Sequence, residues 1–159
     1  MTPAINLLKK KKVKHLVHEY QHDASAVSNG ESYGQEAAAK MGVASQQVFK
    51  TLVVNLDNKE LAVAIVPVSS MLSLKNIAKA ANAKKAAMAD KQDVERSTGY
   101  VLGGVSPLGQ KKRLRTFIDS SAQGFPVIFV SAGKRGLEIE LNPLDFVPLL
   151  SAHFTELQA

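Results

Sequence analysis

Residues 18–22, HEYQH, spell H-E-x-x-H. On a helix that spacing sets two histidines one turn apart to hold zinc, with the glutamate as general base. The surrounding string, HLVHEYQH, instead reads as extended chain following a helix. Alternation then puts His18, Tyr20 and His22 on one face and Glu19 on the other. The remaining histidines, His15 and His153, follow no spacing known for a third ligand. The sequence therefore predicts no metal and no other cofactor, and a metal hydrolase built on HEYQH is the weakest of the catalytic readings.

The glycine-rich stretch GYVLGGVSPLGQKKR, residues 99–113, has the look of a phosphate loop. The pattern G-x-x-x-x-G-K-[ST] would need lysine directly after Gly109, where Gln110 stands, and G-x-G-x-x-G is absent. Nucleoside triphosphate binding is disfavoured. Gly103 and Gly104 still let the backbone come close to a ligand and offer N–H groups to an oxygen, and Pro107 stiffens the chain beyond them. A tight turn between strands explains the same glycines equally well. Lys111, Lys112, Arg113 and Arg115 come next, and SAGKRG, residues 131–136, is a second glycine-flanked basic turn carrying Lys134 and Arg135. Each run either grips phosphates or is a solvated edge kept from aggregating by charge.

A third group is Lys50 in QVFKTLVVN, residues 46–54. A charged ammonium is seldom placed in apolar surroundings without a partner or a task. Lysine at the start of a strand can also simply extend its head group to water.

These groups need elements to hold them. Thr2-Pro3 is a helix start, with an apolar stripe through Ile5, Leu7 and Leu8. Val13–Tyr20 reads as strand and residues 21–31 as loop. Ser32 and Gln35 form a capping box for an Ala-rich helix ending near Gly42. Val48–Leu56 and Glu60–Pro67 make a hairpin across Asp57-Asn58. Ser73 caps a helix ending at Asn82, KKAAMAD is a short strand, and 90–97 a short helix stopping before Gly99. YVLGG, RLRTFID, FPVIFVS and LEIEL read as short strands. Asn142-Pro143 opens a last helix, LDFVPLL. Helices early and strands late give no βαβ ladder. The class expected is α+β: a single compact domain over residues 1–159, with a mixed, mostly antiparallel β-barrel surrounded by helices.

The 159 residues suffice for a core without staples, and the absence of cysteine suits a reducing, cytoplasmic setting. The N-terminus lacks the order of a secretory signal, and no apolar run approaches the ~20 residues of a membrane span. A net charge of +6 and a pI near 9.6 favour a polyanionic partner, RNA or DNA, over a merely solvated surface only evenly. With no Trp and three Tyr, an extended stacking platform for single strands is not expected.

Taken together, MTPAINLL, FKTLVV, MAD at 88–90, STGYVLGGVSPLGQKKR at 97–113 and VSAGKRGLEIEL at 130–141 resemble the trans-acting Cys-tRNA(Pro) deacylases of the YbaK type. These are related to the editing domain inserted in bacterial prolyl-tRNA synthetases. The match runs nearly end to end, and the STGY…KKR string carries most of its specificity. The resemblance implies removal of cysteine wrongly attached to proline tRNA, with prolyl-tRNA synthetase as companion. It places the essential lysine on Lys50, a tyrosine on Tyr20, and a G-x-x-x-P loop on Gly103–Pro107, with Gly103 near the scissile ester. Gly104, Ser106, Pro107 and Glu138 are then expected at the substrate. Lys111, Lys112, Arg113, Lys134 and Arg135 are expected on tRNA phosphates. Aspartate would match the family more closely at 138, Ala132 departs from the common SGG turn, and the 21–31 loop is longer than usual. The family route is substrate-assisted: the cysteine thiol attacks its own ester and leaves as a cyclic thioester. The rivals are another mischarged tRNA, such as Ala-tRNA(Pro), and a tRNA-binding module without catalysis.

Overall fold

In the computed structural model, residues 1–22 and 33–159 are described. The expected loop at 21–31 and the Ser32 capping box fall largely or wholly outside them. Helix α1, Pro3–Lys10, starts where Thr2 Oγ accepts from the Ile5 N–H at 3.3 Å, with proline in the first turn. It buries Ala4, Ile5 and Leu8, a stripe at helical spacing. Strand β1, Leu16–Glu19, comes after it, and helix α2, Tyr33–Met41, opens the next described stretch.

Strands β2, Phe49–Leu56, and β3, Glu60–Pro67, form an antiparallel hairpin. Asp57 and Asn58 turn it with φ of 54° and 55°, the left-handed pair a two-residue hairpin turn requires. Helix α3, Leu74–Ala80, is capped by Ser73; strand β4 is Ala86–Met88; helix α4, Lys91–Thr98, is capped by Asp90. The chain ends with β5, Arg115–Asp119; β6, Ile128–Lys134; β7, Leu137–Leu141; helix α5, Phe146–Leu150; and β8, His153–Thr155.

The strands make two sheets, one ordered β1-β7-β6 and antiparallel, the other β4-β2-β3-β5-β8. In the second, β3–β5 and β5–β8 are parallel. The central strand β3 is buried on both faces. Val63 and Ile65 join Phe49 and Ile118 against Ile128, Val130, Ile139 and Leu141 of the other sheet, with α1 closing that core. Ala62, Ala64 and Val66 face α3 through Ile77. A fully buried Ile or Leu stabilises by roughly 1.5–3 kcal/mol, so this interleaving of two sheets dominates the fold.

Two expectations are corrected. YVLGG, residues 100–104, is not a strand: Val101 and Leu102 are exposed, and the Gly104 N–H closes a turn on the Val101 carbonyl. The last helix is shorter than LDFVPLL, because a 3₁₀ turn at Pro143–Asp145 precedes α5. The strands pair as two sheets, and among the described residues the backbone pairing between them is one parallel bridge, Val48 to Phe129. No helix of the described residues is long and apolar enough to cross a membrane.

Candidate functional site

The start of β2 is fixed from several sides. Gln47 donates through Nε2 to the Val127 carbonyl at 2.9 Å, the Val68 N–H donates to the Val48 carbonyl at 2.8 Å, and Val48 bridges Phe129. Farther along, β4 covers β2 only from Val54 to Leu56, and the Ala89 N–H reaches the Val53 carbonyl. Alternate residues of a strand direct their backbone groups to opposite sides. Val48 therefore points toward β3 and Val53 away from it, and Thr51 aims its N–H and C=O at a length of edge that no strand of the described residues covers.

A cleft of about 280 Å3 opens at this edge. It gathers six residues singled out from the sequence: Tyr20, Lys50, Gly103, Lys134, Arg135 and Glu138. They come from the end of β1, from β2, from the glycine loop, and from the β6–β7 turn. Lys50 sits opposite Val66 in the hairpin and is half-buried; burial holds its pKa below the ordinary value. No carboxylate among the described residues forms an ion pair with it.

Glu138, on β7, is 6% exposed. Desolvation pushes its carboxyl up to about 8, and among the described residues that carboxyl has no hydrogen-bond or ion-pair partner. Tyr20 donates its N–H to the Gly136 carbonyl at 2.9 Å. Burial, with the nearby Glu138 charge second, pushes its hydroxyl up to about 12, so the phenol stays neutral and can donate. Arg135 is engaged: its Nη2 lies 3.3 Å from the carboxylate of buried Glu36, and its Cζ 4.1 Å from the centre of the Tyr33 ring. Lys134 is exposed at the rim.

The glycine loop reaches the cleft by close approach. Gly103 has φ +96°, and a Cβ there would lie 2.9 Å from the Tyr33 ring. A Cβ at Gly104 would lie 3.0 Å from Lys134 Cα, so loop and turn pack backbone to backbone. Tyr100 fastens the far end of the loop by donating to the Leu108 carbonyl at 2.6 Å.

The other expected residues stand elsewhere. Gly104, Ser106 and Pro107 are buried and do not line this cleft. Ser106 Oγ accepts from the Leu108 N–H at 3.2 Å and thus shapes the loop. Pro107, Lys112 and Arg113 border a second cleft of about 510 Å3 beside Lys11, and Lys111 is exposed but lines neither. The basic residues therefore divide into two groups. HEYQH begins in β1 as extended chain, where His18 Nε2 and a Glu140 carboxylate oxygen are 2.8 Å apart.

Tyr33 and Thr51 also line the cleft and were missed from sequence. The buried Thr51 hydroxyl has no partner among the described residues. Its signal was its place beside Lys50; that of Tyr33 was its being one of only three tyrosines.

Comparison with known proteins bears on the chain as a whole. A family model described as "Aminoacyl-tRNA editing domain" matches residues 28–149. An Enterococcus faecalis protein described as "Putative Cys-tRNA(Pro)/Cys-tRNA(Cys) deacylase EbsC" is 36% identical over 156 residues, covering 98% of this chain and 92% of its own. A solved structure described as "a putative trans-editing enzyme for prolyl tRNA synthetase" is 21% identical with a TM-score of 0.82, covering 99% of this chain and 95% of its own. The structure of hypothetical protein APE2540 is 19% identical, with a TM-score of 0.85 and 99% of both chains covered. At these identities the two structural likenesses establish the fold alone.

Proposed function

The chain belongs to the aminoacyl-tRNA editing domain family, and on that premise we propose that it is a deacylase that clears cysteine from mischarged proline tRNA. One observation carries the reading. A single cleft presents an amine, Lys50, and a buried carboxyl, Glu138, and the two do not pair with each other. An aminoacyl ester offers a counterpart to each: an α-ammonium for the carboxyl, and the anionic ribose-phosphate end for the amine.

The roles follow from chemistry. The Glu138 carboxyl ionises as the α-ammonium arrives, since an adjacent cation favours the carboxylate. Lys50 acts as an ammonium that holds the terminal ribose or phosphate and steadies charge developing at the ester. The neutral Tyr20 hydroxyl orients the ribose, and backbone N–H groups of the Gly103 loop face the carbonyl oxygen. The substrate brings the nucleophile. Its thiolate attacks its own ester carbonyl, a C–S bond forms, and the C–O3′ bond breaks. The alkoxide takes a proton, and the cyclic thioester is later opened by water. Being intramolecular, the step gains up to ~7–11 kcal/mol from proximity in a well-oriented case. This chain has no cysteine of its own to do the same work.

The exposed Lys111, Lys112, Arg113 and Lys134 hold the acceptor stem through phosphates, largely without reading sequence, while Arg135 braces the cleft wall. Choice among tRNAs then falls to a companion, prolyl-tRNA synthetase, in the cytoplasm where tRNA is charged. The same reading treats the two sheets, joined at Val48–Phe129, as walls of one barrel-like enclosure.

The test is a deacylation panel of Cys-, Ala-, Ser- and Pro-charged tRNA(Pro), with Cys-tRNA(Cys), comparing wild type with Lys50→Ala. Loss of ester from Cys-tRNA alone, abolished by the substitution, is expected. Preferential cleavage of Ala-tRNA(Pro) would move the reading to another substrate. Binding of tRNA with every ester intact would reduce the protein to a binding module.

A further inference from the structure

The mouth of the cleft carries an exposed apolar shelf that none of the assigned roles uses. Tyr33 is 40% exposed and Leu102 58% exposed, and both line the cleft. Val101, next to Leu102, is 65% exposed. Large apolar side chains gathered at the rim of a cleft mark a binding surface. The ring of Tyr33 is also held in place. The Arg135 guanidinium lies over it at 4.1 Å, the arginine is tied in turn to buried Glu36, and the Gly103 backbone packs against the ring where a Cβ would come within 2.9 Å. A ring already immobilised loses little conformational entropy when something stacks on it.

We propose that Tyr33, flanked by Leu102, is a stacking subsite for one purine base: the terminal adenine of an aminoacylated RNA 3′ end. The inference rests on the deacylase reading above and extends it from the ester to the nucleoside that bears it. Four features select this occupant. The shelf is continuous with the cleft that holds Lys50 and Glu138, so a base on it and an ester in the cleft can belong to one nucleotide. Cations stand beside it at Lys50 and Lys134, suiting the phosphate beside the base. The chain has no Trp and three Tyr, and of the tyrosines only Tyr20 and Tyr33 line the cleft, so one ring at the rim fits one base and not a run. Stacking is also indifferent to the mischarged amino acid, which leaves selection of the ester to the interior of the cleft.

The experiment uses the full chain and needs no ester. An unacylated RNA oligonucleotide ending in CC followed by 2-aminopurine, an isomer of adenine, is titrated with protein, and its fluorescence is followed without tryptophan background. A second oligonucleotide ends in CC followed by an abasic ribose. Wild type and Tyr33→Phe should quench the first probe and bind it alike. Tyr33→Ala and Tyr33→Leu should bind it roughly 10- to 100-fold more weakly, the range for loss of one base–aromatic stack. All four proteins should bind the abasic probe equally. The Leu variant keeps apolar bulk without a π face, and the abasic probe reports whether a variant retains its basic surface. Equal affinity of wild type and Tyr33→Ala for the first probe would overturn the subsite. So would an equal loss on the abasic probe, or no quenching by wild type. Since binding is read without cleavage, Cys-tRNA deacylation by wild type tests the parent reading separately.

Discussion

Replacing Glu138 by glutamine should make the protein more stable and less active. The carboxyl is buried without a partner among the described residues, and its pKa, pushed up to about 8, compares with an ordinary value of 4.5. The folded state therefore favours the protonated form more than the unfolded chain does. The site contributes nothing unfavourable below about pH 4.5. Its cost grows by about 1.4 kcal/mol per pH unit above that and levels off past about pH 8. At pH 7, about 2.5 units into that window, the cost is roughly 3 kcal/mol. Glutamine cannot ionise and removes it, but a buried amide still lacks partners and returns roughly 1 kcal/mol. The expected net gain is about 2 kcal/mol, or about 4–8 °C in Tm for a chain of this size. Thermal unfolding of both proteins from pH 4.5 to 8.5 is the assay. The curves should cross, the variant being about 1 kcal/mol less stable at the acid end and the more stable protein toward pH 8. In the same variant KM for Cys-tRNA should rise at least about tenfold, as expected for losing a hydrogen bond to a charged group. If the variant were no more stable than wild type at pH 7, with wild-type stability flat across the window, ionising the buried carboxyl would carry no such cost and the reasoning would fail.

Lys50→Ala should lose most deacylation while its Tm stays close to wild type, because the half-buried lysine has no ion pair among the described residues to lose; Lys50→Arg should rescue poorly, its planar fork having another shape. Single-turnover kinetics with Cys-tRNA(Pro) check both. S-methyl-Cys-tRNA(Pro) should bind and survive, and normal-rate cleavage would transfer the attack from thiol to water. Gly103→Ala should lower kcat/KM by about tenfold or more, since φ of +96° costs an L-residue about 1–2 kcal/mol and the new methyl must displace the Tyr33 ring. Asp119 tests the tail. Burial raises its pKa, but bonds from Ser121, Gln158 and Leu157 outweigh that and hold it below the ordinary 3.8. Its contribution should be complete above about pH 4 and fade below it, and Asp119→Ala should unfold at a higher pH in acid titration monitored by circular dichroism.

Local signals were legible in the sequence wherever one residue type fixes one geometry. Thr2-Pro3, Ser73 and Asp90 mark helix starts, and Asp57-Asn58 marks the hairpin, all within a residue or so of their observed places. YVLGG misled because its apolar residues are not buried: Val101 and Leu102 project outward, so composition imitates a strand. Strand β8 escaped notice because three residues in parallel pairing with β5 leave almost no pattern. The site was legible only through resemblance. Tyr20, Lys50 and Glu138 are separated by 30 and 88 positions, and only the pairing of β1 with β7 and the bridge from Val48 to β6 bring them together. Nor could spacing reveal that Arg135 is tethered to Glu36 while Lys134 is not, since that depends on helix α2 meeting the β6–β7 turn.

The bare stretch of β2 at Thr51 gives the protein a built-in reporter. Among the described residues the amide there has no strand beside it to slow its trade of hydrogen for deuterium, whereas Lys50 and Leu52 on either side point inward to β3. An occupant that borrows this lone N–H acts as a temporary extra strand one residue long. Whether the pocket is filled can thus be followed from a single backbone position, with no label on the RNA.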